Sequence, residues 1–231
     1  SIVRAIFTSL IVFATKACQR MMPDLTRPLQ IAPDCQLIDW SINQPLPISE
    51  RADHGAPSLA AAIGNFDGVH LGHRKLIAGA CSHGDGLIPS VITFHPHPRR
   101  YFQPDLPGFA LADDTDKLAL LSDAGARRII RLGFDDSMRQ TTAHDFVSRI
   151  LPALGVRALY AGADFAFGKQ RSGNMDMIRE DGRQYGIDAH TVALESDEDA
   201  IISSSRIRAA IARADMAEAA RMLGRPYVIS G

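Results

Sequence analysis

The sequence predicts an α/β fold, a parallel sheet with helices on both faces. Three observations carry that expectation. From residue 59 onward short apolar runs alternate with amphipathic segments. Each run is four or five residues long and bounded by Gly, Pro or Asp, and the densest motifs stand directly after the runs. Runs that are apolar throughout belong to strands covered on both faces.

In chain order the expected strands are Leu59–Ile63, Val91–Phe94, Arg128–Leu132, Ala158–Ala161 and Thr191–Leu194. Helical patterns lie between them. Lys75–His83 follows the first strand, and Asp116–Ala124 turns Leu118, Leu120 and Leu121 toward one side. Thr142–Leu154 opens on a threonine cap and repeats Phe146, Ile150 and Leu154 at helical spacing. Asp176–Tyr185 is more polar, and Arg206–Ala212 follows a run of serines. Two stretches interrupt the alternation. Residues 41–58 carry Pro45, Pro47, Gly55 and Pro57 and read as a surface excursion. Residues 95–115 carry Pro96, Pro98, Pro104, Pro107 and Gly108, which forbid a long helix and suggest a loop over one end of the sheet. Ligands of such sheets bind beyond the carboxyl ends of the strands, near the switch point.

Composition narrows the class. A formal charge of −1 over 231 residues lacks the basic excess of a general nucleic-acid binder, though a local pocket for an anion remains compatible with it. Cys18, Cys35 and Cys81 are far apart and form no CxxC pair, which fits a reducing compartment rather than a zinc site or a disulfide framework. Ile2–Ala14 is apolar between Arg4 and Lys16, too short for a membrane span and similar to a weak signal-peptide core. The chain begins at Ser1, while Met21-Met22 precede an ordinary-looking start. Residues 1–20 are therefore expected to be a leader or non-native extension, and the protein cytoplasmic, without nucleic-acid or membrane partners.

The motif after the first strand, Gly64–His73 (GNFDGVHLGH), is the most informative stretch. Gly64 allows close approach of backbone and ligand, Gly68 permits a tight turn, and Gly72 leaves room above the first helical turn. His70 and His73 are three apart and would share one helix face. The space they face lies beyond a helix N-terminus, where free N–H groups and the helix dipole favour an anion. A metal pair, or two exposed histidines, is the competing reading of HxxH alone.

The whole phrase resembles the adenylyltransferase module of bacterial bifunctional riboflavin kinase/FAD synthetases, within the HxGH nucleotidyltransferase superfamily. Three further segments are similar to that family: Thr93–Arg99 (TFHPHPR), Gly162–Gly173 (GADFAFGKQRSG) and Ile202–Arg208 (ISSSRIR), where Ser205 stands in place of a common threonine. Gly224–Gly231 resembles the phrase that opens the family's kinase barrel. The resemblance implies a Rossmann-like nucleotidyltransferase fold and transfer of the adenylyl group of ATP to FMN, giving FAD and pyrophosphate with Mg2+ held through the ATP phosphates. It also implies site residues. His70, His73 and Arg208 would be catalytic. Gly64, Asn65, Phe66, Asp67, Gly68, Ser204 and Ser205 would bind ATP. Asp164, Phe165, Phe167, His97 and Pro98 would line the flavin site. Asp164 stands where relatives can carry Asn, so direct contact with an FMN phosphate requires a cation between two anions. Phe165 and Phe167 are equally suited to a core, and Ser203–Ser205 to a helix cap.

The expected organisation is a leader over 1–20, an FMN adenylyltransferase domain over 21–212, and a linker helix with the start of a kinase barrel over 213–231. Riboflavin phosphorylation is then expected to be absent from this chain. Two alternatives stay open, an HxGH nucleotidyltransferase with another phosphate acceptor and a non-catalytic nucleotide- or flavin-binding remnant. Oligomeric state is not legible. One decoy falls away: Gly162–Lys169 resembles a P-loop but has five residues between its glycines, and Gln170 replaces the required Ser or Thr.

Overall fold

The computed structural model describes residues 30–47, 55–106, 108–197 and 200–228; the leader expected over residues 1–20 lies outside them. The strands are β1 (Gln36–Trp40), β2 (Leu59–Ile63), β3 (Ile88–His95), β4 (Arg128–Gly133), β5 (Val156–Gly162) and β6 (Asp188–Val192). They pair in parallel throughout, in the spatial order β1-β4-β3-β2-β5-β6. The helices are α1 (Leu71–Cys81), α2 (Pro98–Phe102), α3 (Asp114–Asp123) and α4 (Asp136–Gln140). Next comes α5, an unbroken helical run of Ala143–Asp145, a π-helical turn Phe146–Ile150 and Leu151–Ala153. The remaining helices are α6 (Met175–Asp181), prolonged by a 3-10 turn over Gly182–Tyr185, α7 (Ser204–Ala212) and α8 (Met216–Leu223).

β2 explains the architecture. All five of its residues are buried, and its side chains divide between two cores. Leu59, Ala61 and Ile63 meet Phe146, Val147, Leu151 and Ile178 from α5 and α6. Ala60 and Ala62 meet Ile77 and Ala80 of α1 and Leu118 and Leu121 of α3. A central strand with helices on both faces must be apolar at every position. From β2 the chain adds β3 and β4 on one side, then crosses to add β5 and β6 on the other. The switch point therefore lies at the carboxyl end of β2, where Gly64–His73 begins.

Two strands depart from the sequence expectation. β1 has no counterpart in it, because only Ile38 of that strand is buried and Gln36 and Asp39 leave a short apolar run. It is an edge strand, tied to β4 by a two-pronged Arg131–Asp39 pair (Nε–Oδ1 2.5 Å, Nη2–Oδ2 2.8 Å). β6 runs Asp188–Val192 rather than the expected Thr191–Leu194, because its pairing with β5 ends at Gly162 opposite Val192. Leu194, 39% exposed, lies past the sheet on the ligand side. The expected cap of α5 is present: Thr142 Oγ1 accepts from Asp145 N–H at 3.0 Å, while Phe146, Ile150 and Leu154 are buried. At the C-terminal end, Ala219, Met222 and Leu223 of α8 pack on Ile207 and Ala210 of α7.

Candidate active site

The turn between β2 and α1 is pinned from several sides. Gly64 N–H donates to Ile92 O at 3.1 Å, and Thr93 Oγ1 to Asn65 O at 3.2 Å. Phe66 and Val69 hold positive φ (53° and 42°), as does Gly68 (78°). Two non-glycine residues in this conformation within four positions mark a backbone held by its surroundings. Phe66 and Val69 are fully buried, which supplies the hold. A Cβ at Gly68 would stand 2.9 Å from Leu111 Cδ1. Gly68→Ala is accordingly expected to cost roughly 1–3 kcal/mol, from φ strain and overpacking together. A urea titration checks this; a midpoint equal to that of the parent contradicts it.

His70 is not inside the helix. It is extended and caps α1, its Nδ1 accepting from His73 N–H at 3.4 Å. The two imidazoles nevertheless come together, stacked with centroids 3.6 Å apart and planes 19° apart. Phe66 supports His73 from the far side at 5.2 Å. Gly72 leaves the space the His70 ring needs, since a Cβ there would stand 3.2 Å from its Cε1. With Nδ1 accepting, the neutral His70 ring carries its proton on Nε2 and can donate it to an anion.

Burial, then the charge of Arg225, lowers His70 to about 4. Burial, then His70 and Lys117, holds His73 well below the ordinary histidine range. His97 is lowered to about 4 by burial, then by Lys117, Arg208 and Arg99. All three are neutral donors at neutral pH. The unfolded chain takes up protons on His70 and His97 below its pKa of about 6.5, and the folded one refuses them down to about 4. Stability therefore falls as pH drops through that window, by up to about 1.4 kcal/mol per pH unit and histidine. Thermal melts between pH 7 and pH 5 should show a falling Tm, with a shallower slope in His97→Gln. A flat parent profile contradicts the assignment.

The second half of the anion end comes from α7. Ser203 is the cap, its Oγ accepting from Arg206 N–H at 3.2 Å. Ser204 Oγ donates to Asp67 O at 2.9 Å, which seats the start of α7 on the histidine turn. Asp67 is buried; its Oδ1 accepts from Leu111 N–H at 2.8 Å and its Oδ2 from Arg208 Nη1 at 2.5 Å. Burial raises the Asp67 carboxyl, opposed by the Leu111 N–H and the charges of Arg208 and Lys117. Arg208 Nη2 donates to Ser205 Oγ at 3.2 Å. Arg206, whose place on a predicted helix suits a solvent-facing residue, instead ties α7 to Asp197 and Glu218.

These groups open into a cavity of about 780 Å³ at the carboxyl ends of the strands. Its wall includes Gly64, Asn65, Asp67, His70, His73, Ser204, Ser205 and Arg208 together with His97, Pro98, Asp164, Phe165 and Phe167. Phe66 and Gly68 do not reach its wall; they shape the turn from beneath. Phe165 and Phe167 stack at 5.6 Å, and Phe167 also leans on Phe146 at 5.2 Å, so it serves core and wall together. His97 Nδ1 caps α2, accepting from Arg99 N–H at 3.0 Å, while His95 Nδ1 meets Asp114 Oδ2 at 2.7 Å. The two rings of the HPH element thus have separate partners. Among the described residues no group of three His, Cys, Asp or Glu could hold a metal ion, and no helix is long and apolar enough to cross a membrane. Sequence reasoning misses Phe94, Phe134, Met138 and Glu195 as lining residues. Phe94 sits inside the TFHPHPR segment, and Phe134 directly follows β4; position after a strand is the available signal.

The parallel sheet thus carries at its switch point a stacked histidine pair and, facing it, a second helix N-terminus. Comparison with known proteins identifies the family. The chain belongs to the FAD synthetase family, whose model matches residues 53–206. It is 37% identical over 174 residues to the bifunctional riboflavin kinase/FMN adenylyltransferase of Pseudomonas fluorescens, covering 74% of this chain and 56% of that protein. It is 36% identical over 172 residues to the protein of the same name from Escherichia coli K12, covering 73% and 55%. An FAD synthetase of Listeria monocytogenes is 33% identical over 171 residues, covering 73% and 70%. The chain thus spans little more than half the length of the bifunctional relatives. A solved chain described as a macrolide-efflux protein of Streptococcus pneumoniae shares the fold at a TM-score of 0.68 and 26% identity, covering 85% of this chain and 66% of that one.

Proposed function

We propose that this chain transfers the adenylyl group of ATP to FMN, giving FAD and pyrophosphate. The observation that carries the reading is one cavity whose wall combines neutral and cationic hydrogen-bond donors with aromatic side chains. ATP phosphates suit the donors and a flavin ring the aromatic side chains.

A phosphate oxygen of FMN attacks the α-phosphorus of ATP in line. The bond from that phosphorus to the β-phosphate bridge breaks, and its electron pair leaves with pyrophosphate. No covalent enzyme intermediate is needed, so the protein's work is positioning and charge stabilisation. His70 and His73 donate to the α-phosphoryl oxygens as charge grows on them. Ser205, Arg208 and the N-terminus of α7 receive the departing pyrophosphate. Arg208 is held on one edge by Asp67, which fixes the direction of its guanidinium.

Mg2+ arriving with ATP would neutralise charge on the phosphate chain. The carboxylates present suit an ion carried by the nucleotide rather than a protein cage. Asp67 is engaged by Arg208 and Glu195 by Lys75, which leaves exposed Asp164 on the wall to face the ion.

The test is incubation of the chain with FMN and Mg-ATP, with FAD and pyrophosphate quantified together. Equimolar products are expected. A folded chain that binds both substrates and yields no FAD overturns the reading. Turnover with nicotinamide mononucleotide or phosphopantetheine in place of FMN would move it to another acceptor.

A further inference from the structure

Arg225 lies outside the cavity and outside every role assigned above. It is 7% exposed, although an arginine is almost never buried without a partner for its charge. Its Nη2 donates to Gly68 O at 3.0 Å, while its Nη1 is buried with no hydrogen-bond partner among the described residues. Asp116 and Asp123 lie close enough to favour its charge and Arg74 opposes it, while the Gly68 carbonyl is the contact that it makes with the histidine turn.

The route by which Arg225 arrives is equally specific. α8 ends at Gly224, whose φ of 67° reverses the chain, and Arg225 N–H returns to Ala220 O at 3.2 Å. This is the glycine-terminated helix end, in which a left-handed residue sends the chain off in a new direction. A Cβ on Gly224 would stand 2.5 Å from Leu71 Cδ2, so the segment rests directly on the first residue of α1. α8 also packs on α7, the helix that carries Ser204, Ser205 and Arg208. The two residues Gly224 and Arg225 therefore touch the histidine turn and, through α8, the helix that carries the serines.

We infer that Arg225 is a positioning residue for nucleotide binding: by holding the Gly68 carbonyl it fixes the Gly68–His70 turn in the form that presents both imidazoles and the α1 N-terminus to the triphosphate. The inference rests on the reading of the histidine pair as donors to the ATP phosphates. It makes the segment after α8 part of the nucleotide site rather than a passive connector. The charge of Arg225 acts in the same direction, since it helps keep His70 neutral.

The test compares the parent with Arg225→Met and Arg225→Lys by calorimetric titration with Mg-ATP and, separately, with FMN, each corrected for the folded fraction. Arg225→Met should weaken Mg-ATP binding at least tenfold and leave FMN binding within twofold. Arg225→Lys keeps one donor for Gly68 O and should stay within about threefold of the parent for both. A purely structural role would lower Tm and the folded fraction without separating the two ligands. Equal losses for ATP and FMN, or none for either, overturn the inference, as does a folded parent that does not bind ATP. A parent that binds ATP but forms no FAD overturns only the proposed reaction. Should Arg225→Met not fold, Gly224→Ala, whose Cβ would push the segment that carries Arg225 off Leu71, makes the same comparison: a loss confined to Mg-ATP supports the inference, and equal behaviour toward both ligands overturns it.

Discussion

His73→Ala should lower FAD formation a hundredfold or more while leaving the fold in place. The ring is stacked on His70 and supported by Phe66, and it opens to the cavity beside Asn65. One donor directed at a developing oxyanion contributes about 10²–10³ in rate, or roughly 3–4 kcal/mol of barrier. His73 supplies only its backbone N–H to the α1 cap, and alanine retains that group. His70→Ala is the less clean variant. It removes the donor and also the side chain that caps α1, adding about 1 kcal/mol of lost stability. The measurement is kcat and KM for both substrates together with a thermal melt. A His73→Ala enzyme that keeps its Tm and loses less than threefold in kcat would remove His73 from the mechanism.

Asp67→Ala should produce the largest loss of stability among the site residues, roughly 3 kcal/mol, and a Tm lower by roughly 6–12 °C. Two partners lose their acceptor at once: Leu111 N–H, and the Arg208 guanidinium, which keeps only Ser205 Oγ and the Phe109 carbonyl. The lower end of the usual range for breaking a buried pair applies, because the Arg208 side chain is 24% exposed and water can reach it. Activity should fall further than stability accounts for, since Arg208 loses the contact that aims it. A double-mutant cycle with Asp67→Ala and Arg208→Met isolates the pair. Removing both charges should restore part of the stability, giving a coupling energy above about 1 kcal/mol. Strict additivity in urea titrations would show that Asp67 and Arg208 act independently.

Much of this architecture is legible in the residues themselves, for identifiable reasons. β2 stands out because a strand buried on both faces must be apolar at every position, and Leu59–Ile63 shows nothing else, while β3 to β5 show through their apolar centres, Val91-Ile92, Ile129-Ile130 and Ala158–Ala161. α5 is legible from Thr142 and from the spacing of Phe146, Ile150 and Leu154. β1 is hidden because an edge strand needs only one buried side chain. The end of β6 escapes a local reading because register with β5, not hydrophobicity, terminates it.

The site divides in the same way. Residue type and order along the chain determined which segments line the cavity: His70, His73, Ser204, Ser205 and Arg208 all belong to motifs whose chemistry is local. Tertiary structure alone decided what those residues do to one another. His70 became a cap instead of a helix residue, Phe66 and Gly68 went beneath the turn, and Asp67 turned inward to hold Arg208. Arg225, 157 positions from Gly68, came to support the same turn. A motif encodes the donors a site requires. The aim of those donors is set by contacts between residues far apart in the chain, which no local pattern records.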